Sequence, residues 1–215
     1  SGIAMASCDE IYITVKGKGG HGAVPHLALD PVLIASHIVV ALQSVVSRNA
    51  NPTLPSVLSI GKFIANGATN IIPDEVKMEG TFRTFDEQWR AEAHEKIRTI
   101  CNNIAVSFGG SCDVLIDVGY PFLKNEETLT GHAFSLAKEY LGVEKVEEMP
   151  ARMTAEDFSY YSQVVPACFY RLGTGNIEKG ITSPIHTPTF DVDENCLKIG
   201  AGLMAWLAVN EMLHN

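Results

Sequence analysis

Between residues 10 and 121 the spacing of apolar side chains switches between a period of two and a period near 3.6, and that order leaves few ways to fold. Ile11, Ile13 and Val15 alternate with Tyr12, Thr14 and Lys16, the pattern of a half-buried strand. Asp30 followed by Pro31 opens a helix carrying Ile34, Ile38, Leu42 and Val45 on one stripe, and Asn49-Ala50-Asn51-Pro52 stops it. A β-rich segment from Val57 to Ala65 meets the turn Asn66-Gly67. In the strand after it, Val76, Met78 and Phe82 share one face and Lys77, Glu79, Thr81 and Arg83 the other, so Arg83 points away from the core. Asp86 caps a second helix striped by Trp89, Ala93, Ile97, Ile100, Ile104 and Phe108, with Gly109-Gly110 closing it. Val114, Ile116, Val118 and Tyr120 form a last strand that Pro121 ends. The order is βαββαβ, which predicts a ferredoxin-like α+β sandwich over 10–121: two helices on one face of a four-stranded antiparallel sheet.

The remainder follows another rhythm. A helix is expected near Glu127 to Leu141, then a charged stretch from Glu144 to Glu148, an apolar strand over Ala167 to Leu172, and a loop Ser183-Pro184-Ile185-His186-Thr187-Pro188. Asp193 should open a final helix with Leu197, Ala201, Met204 and Leu207 on its stripe. Such a strand and helix belong to an α/β sheet, yet residues 1–9 and 122–215 are too few to complete one.

With 46% apolar and 19% charged residues the 215-residue chain is a folded protein, and its net charge of -9 argues against nucleic acid or an anionic membrane as partner. No uninterrupted apolar run reaches the roughly 18 residues of a spanning helix, and the N-terminus lacks a signal-peptide pattern, so a cytoplasmic location is expected. Five cysteines without C-x-x-C spacing fit reduced thiols.

Chemistry is expected in the loops. His21 stands in Lys16-Gly17-Lys18-Gly19-Gly20-His21-Gly22, where glycine lets the chain turn sharply or another group come close. A flexible loop with an incidental histidine is the plain alternative. His186 has a comparable proline-framed setting, and either ring could bind a metal or stabilise an oxyanion. His37, His94, His132 and His214 fall in helices or the tail and are expected to be structural or surface residues. His26 has no helical zinc-pair spacing. Glu156-Asp157 is the best acidic pair, equally compatible with a helix N-terminus, while Glu126-Glu127 and Glu147-Glu148 read as solvated faces. Gly173-Thr174-Gly175 could form a backbone anion site.

The segments Gly17 to His26, Asp30-Pro31, Thr69-Asn70-Ile71-Ile72-Pro73-Asp74, Gly80-Thr81-Phe82-Arg83, Glu156-Asp157-Phe158 and His186-Thr187-Pro188 occur in an order that resembles the aminoacylase and carboxypeptidase-G-type zinc metallopeptidases. Most similar is their amidohydrolase branch, which includes hippurate hydrolase and N-acyl-amino-acid hydrolases. The resemblance covers nearly the whole chain. It implies a ferredoxin-like lid that forms a homodimer, joined to a two-metal catalytic domain acting on N-acyl amino acids or small peptides. His21 then matches the lid histidine that stabilises the oxyanion in the partner's site. Asn70, Arg83 and Gly173 match substrate-binding positions, the guanidinium suiting a carboxylate. His186 matches a metal ligand and Glu156 a residue supporting the metal's ligands. Two divalent ions are implied, zinc or manganese, with cobalt or nickel equally suited to such ligands.

The family's Cys-Gly-His-Asp motif, Glu-Glu pair and pre-lid histidine are absent, and Ser1 to Glu10 resemble the segment that enters the lid. The chain is therefore expected to be a complete lid plus the C-terminal part of a zinc-peptidase-like catalytic domain, inactive alone because a two-metal site needs several ligands and a base. A non-catalytic ferredoxin-like interaction module is the competing expectation. A naturally short protein that completes its site with another chain is a third.

Overall fold

A computed structural model of the chain describes residues 1–214, which fall into two compact units. The first comprises Ile3–Leu123 with Ala151–Gln163, the second Ser1–Gly2, Lys124–Pro150 and Val164–Asn215.

The first unit has the βαββαβ order: β1 (Asp9–Lys16), α1 (Pro31–Ser44), β2 (Ser56–Ile64), β3 (Glu75–Thr84), α2 (Glu87–Ser107) and β4 (Ser111–Val118). The strands lie in the order β2-β3-β1-β4, every neighbouring pair antiparallel. Ile13 pairs with Met78 on one side and Val114 on the other, which puts the apolar halves of three strands on one face. There Ile11, Ile13, Val15, Val76, Met78 and Phe82 pack against Ile34, Ile38 and Leu42 of α1 and Ala93, Ile97 and Cys101 of α2, all essentially without solvent contact. Fully burying each large side chain contributes about 1.5–3 kcal/mol.

Both helix starts are the expected ones. Asp30 Oδ1 accepts from the backbone N–H groups of Val32 (2.8 Å) and Leu33 (3.3 Å), and Asp86 Oδ1 accepts from that of Trp89 (2.7 Å). At the far end of α2, Gly109 adopts a φ of 86°, the left-handed cap glycine tolerates.

The α2 stripe needs correcting toward its C-terminus. Cys101 and Ala105 are fully buried, Ile100 and Ile104 only flank the core, and Phe108 is exposed and packs on the His37 ring. Four-residue steps rotate slowly around a 3.6-residue helix, and small side chains fit where the helix meets the sheet. On β4, Val114 and Ile116 face inward as expected, whereas Val118, its last residue, is exposed and Tyr120 lies exposed beyond the strand's end.

In the second unit, α3 (Glu127–Leu141) and α4 (Asn195–His214) pack together, with Trp206 Nε1 donating to Leu136 O (3.1 Å) and Trp206 stacked on Tyr140. Glu126, read as a solvated face, instead caps α3. Its carboxylate accepts from the N–H groups of Leu129 (2.6 Å) and Thr128 (3.1 Å), which lower its pKa.

Two further expectations fail. Ala167 to Leu172 is not a strand: Glu126 N donates to Ala167 O, and the Asn125 side chain accepts from Phe169 N and donates to Phe169 O, contacts with single residues where a strand needs a neighbouring strand to pair with. On α4 the buried residues are Cys196 and Leu203, while Leu197, Ala201 and Met204 face solvent and Leu207 is half-buried. Asp193 precedes the helix, its carboxylate held at about 2 by hydrogen bonds from Lys179 and Asn176 and from the Asn195 N–H. By length and composition Pro31–Asn49 and Asn195–Leu213 could each cross a membrane, which counting uninterrupted apolar runs did not anticipate; α1 turns its apolar face into the sheet.

Candidate functional site

The loop after β1 folds back as a two-residue ladder in which Gly20 pairs with Ile72 and His21 with Ile71. Gly22 N donates to Asn70 O at 2.9 Å, so His21 and Asn70, 49 positions apart in the numbering, share one loop cluster. The His21 ring is exposed, yet its Nδ1 accepts from the Ala23 N–H at 3.1 Å. With Nδ1 engaged as an acceptor, the proton of the neutral ring sits on Nε2, which can then donate.

Arg83 sits near the other end of the same sheet. It is half-buried on β3, and its Nη1 donates to Met153 O at 3.1 Å, which ties the segment carrying Glu156 to the strand. Glu156 is half-buried, and its carbonyl accepts from Ser159 N. From Glu75, beside the His21 loop, to Arg83 is eight residues of extended chain, about 26 Å. The fold therefore unites His21 with Asn70 and, separately, Arg83 with the Glu156 segment. It does not bring the two pairs to one place within this unit.

Both remaining candidates belong to the second unit. His186 is exposed and, at a φ of 65°, is the one non-glycine residue with positive φ among the described residues. Thr187 Oγ1 bonding Pro184 O (2.7 Å) and the Ser183–Thr189 hydroxyl pair (2.8 Å) stiffen its turn. A non-glycine residue in this region is strained by about 1–3 kcal/mol, a condition common at functional sites. Gly173 is exposed with open space where a side chain would project.

Among the described residues no three His, Cys, Asp or Glu side chains converge on a point that could hold a metal. The donors of this chain therefore do not by themselves fit a two-metal centre. All five cysteines are unpaired. A groove of about 560 Å³ lined by Glu92, Glu95, Lys96, Thr99, Ile100 and Asn49 contains none of the candidates.

A buried charge network escaped the sequence reading. Asp9 at the start of β1 accepts from Arg90 Nε (2.9 Å) and Nη2 and contacts His94 Nε2 (2.7 Å), and Arg90 continues to Glu87 (2.8 Å) and Gly119 O (3.1 Å). Burial would raise the Asp9 carboxyl, but hydrogen bonds from His94 and Arg90 outweigh it and hold it below its ordinary value. Asp9 and His94 are 85 positions apart, so no local pattern announces them.

The first unit is an antiparallel ferredoxin-like sandwich with a glycine-framed histidine in the loop at one end of its sheet. Comparison with known proteins gives the family of this module: residues 8–108 match the peptidase dimerisation domain, and the relatives that the chain matches are amidohydrolases and peptidases. It is 36% identical over 209 residues to thermostable carboxypeptidase 2 of Saccharolobus solfataricus, covering 97% of this chain and 52% of the relative. It is also 36% identical over 199 residues to the N-acetyl-L-cysteine deacetylase of Bacillus subtilis, covering 92% and 46%. Among solved structures, the Bacillus subtilis YxeP protein, a dinuclear metal-binding peptidase of that family, superposes with a TM-score of 0.68 at 28% identity, covering 97% of this chain and 51% of its own. The chain thus spans about half the length of the relatives it matches.

Proposed function

We propose that this chain provides the lid and part of the catalytic domain of a metal-dependent amidohydrolase that cleaves the amide bond of N-acyl amino acids or small peptides. The observation that carries the reading is the exposed His21 imidazole, whose Nδ1 accepts from the Ala23 N–H and so leaves Nε2 as the donor. A donor aimed at a developing oxyanion is worth about 10²–10³ in turnover. Arg83 binds the substrate carboxylate, Asn70 and Gly173 contact the substrate, His186 is a metal ligand and Glu156 supports the metal's ligands. Two divalent ions, zinc or manganese, would supply the activated water when bound. Because no three His, Cys, Asp or Glu side chains among the described residues converge on a metal position, this chain alone is expected not to turn over. Its unpaired cysteines suit the cytoplasm.

The enzyme works as a homodimer in which each lid delivers His21 to its partner's site. The roughly 26 Å between the His21 loop and Arg83 supports this, since one lid cannot apply both groups to a single small substrate. Of the two open sheet edges, β4 carries Asp113 and Asp117, and Asp117 already lies opposite Glu10, so pairing it with its own copy would add like charges. The β2 edge from Ser56 to Ile60 is uncharged and includes exposed Val57, and past Lys62 it reaches exposed Phe63, which suits the Ser56–Ile60 stretch to self-pairing.

Mixed dimers test the reading. In the complete enzyme His21→Ala and Arg83→Ala should each lose turnover of an N-acyl amino acid, and mixing the two variants should restore it through hybrid dimers with one intact site. No recovery on mixing, with subunit exchange confirmed, would remove the shared-site reading. Full turnover by His21→Ala would remove the role of the histidine.

A further inference from the structure

An exposed imidazole on a loop of four glycines needs something to fix it in space, and its own side-chain contact reaches only two residues along the chain. The support comes from the strap between β2 and β3. Gly17 N donates to Asp74 O (2.9 Å), Gly22 N donates to Asn70 O (2.9 Å), and Gly19 N donates to the Asp74 carboxylate at Oδ1 (2.8 Å). Among the described residues, the side chain that bridges loop and strap is Asp74. The approach is too close for any other residue at position 19: a Cβ there would lie 2.6 Å from Ile72 O and 3.0 Å from Asp74 Oδ1. Asp74 is anchored in turn because β3 begins at the next residue.

We propose that Asp74 is the positioning residue for His21. Its carboxylate grips the Gly19 amide two residues before the histidine, and a bond from a backbone N–H to an ionised carboxylate is about twice as strong as one to a neutral acceptor. Its carbonyl grips Gly17 on the same side. The loop is thereby set at the height where His21 pairs with Ile71 and its ring meets the Ala23 N–H. Asp74 touches neither the ring nor any reacting atom and acts through the backbone.

Amide exchange on the 215-residue chain tests this without any assay of activity. The Ala23 N–H is bonded to the His21 ring, so its protection reports the ring's placement directly. Asp74→Ala should speed exchange at both Gly19 and Ala23 by about three- to tenfold, while the Ile13 amide in β1 is unchanged. Asp74→Asn keeps the shape and a neutral acceptor, and should move both amides in the same direction by a smaller factor. It carries the test if the alanine variant loses its fold. Faster exchange at Gly19 with Ala23 unmoved, or no change at either, would overturn the proposal.

The consequence for turnover rests on the reading of His21 as an oxyanion donor. In the complete enzyme Asp74→Ala should lower kcat with KM unchanged, and should add nothing in the His21→Ala background. A loss that adds to that of His21→Ala would show Asp74 acting elsewhere. If His21→Ala itself retained full turnover, the functional reading would fall while the exchange linkage between Asp74 and the ring stood.

Discussion

The two ends of the four-stranded sheet are held by opposite means. At the end where β1 begins, Asp9 and Arg90 form a buried ion pair, with His94 hydrogen-bonded to Asp9, and together they link the first strand to α2 and to the chain leaving β4. At the other end His21 is exposed, and its loop is fixed by backbone hydrogen bonds, glycine contacts and one carboxylate. A buried cluster locks its elements together because each charge depends on its partners. A loop fixed through its backbone keeps its side chain free to meet something else. One end is built to anchor, the other to present.

The comparison is tested hardest at Asp9. Asp9→Ala leaves the buried Arg90 with only the half-exposed Glu87 as counter-charge and should cost about 3–5 kcal/mol in chemical denaturation; a cost under about 1 kcal/mol would mean the cluster is no anchor. The same carboxylate predicts the acid limb. Its pKa is lowered in the folded state, so its contribution is full above the unfolded value, near 3.9, and is lost as pH falls through the folded value. Wild type should therefore lose stability below about pH 4 more steeply than Asp9→Asn, measured as unfolding free energy against pH.

At the presenting end a smaller effect is expected. Gly17→Ala would bring a Cβ to 2.3 Å from Leu29 O and should cost about 1–3 kcal/mol, with amide-exchange changes confined to the His21 loop. Changes spreading to Ile13 would erase the distinction between the ends. Smallest is Glu126→Ala, which removes the α3 cap and should cost about 1 kcal/mol, read as a loss of helicity that leaves β1–β4 protection intact.

What was legible in the sequence follows from the range of each interaction. Asp30-Pro31, Asp86 and Gly109 mark helix ends because capping involves groups three or four residues apart, and the βαββαβ order follows from periodicity alone. The same local logic should have found Glu126, whose neighbour Glu127 made the pair look like a charged surface. The buried face of α4 and the last turns of α2 were misread because the face a helix buries depends on what lies against it. Ala167 to Leu172 has strand composition, but a strand exists only with a partner. The motifs marked His21, Asn70 and Arg83, and gave no sign that the first two lie together about 26 Å along the sheet from the third.

By itself the sequence determined the elements of the βαββαβ unit, their order and the segments that resemble the family's motifs, since these depend on neighbours in the chain and on recurring residue patterns. Only the tertiary structure decided that Asp9 meets His94 across 85 positions and that Asp74 reaches Gly19 across 55. Contacts between distant residues are fixed by strand order and register, which no stretch of the chain encodes alone.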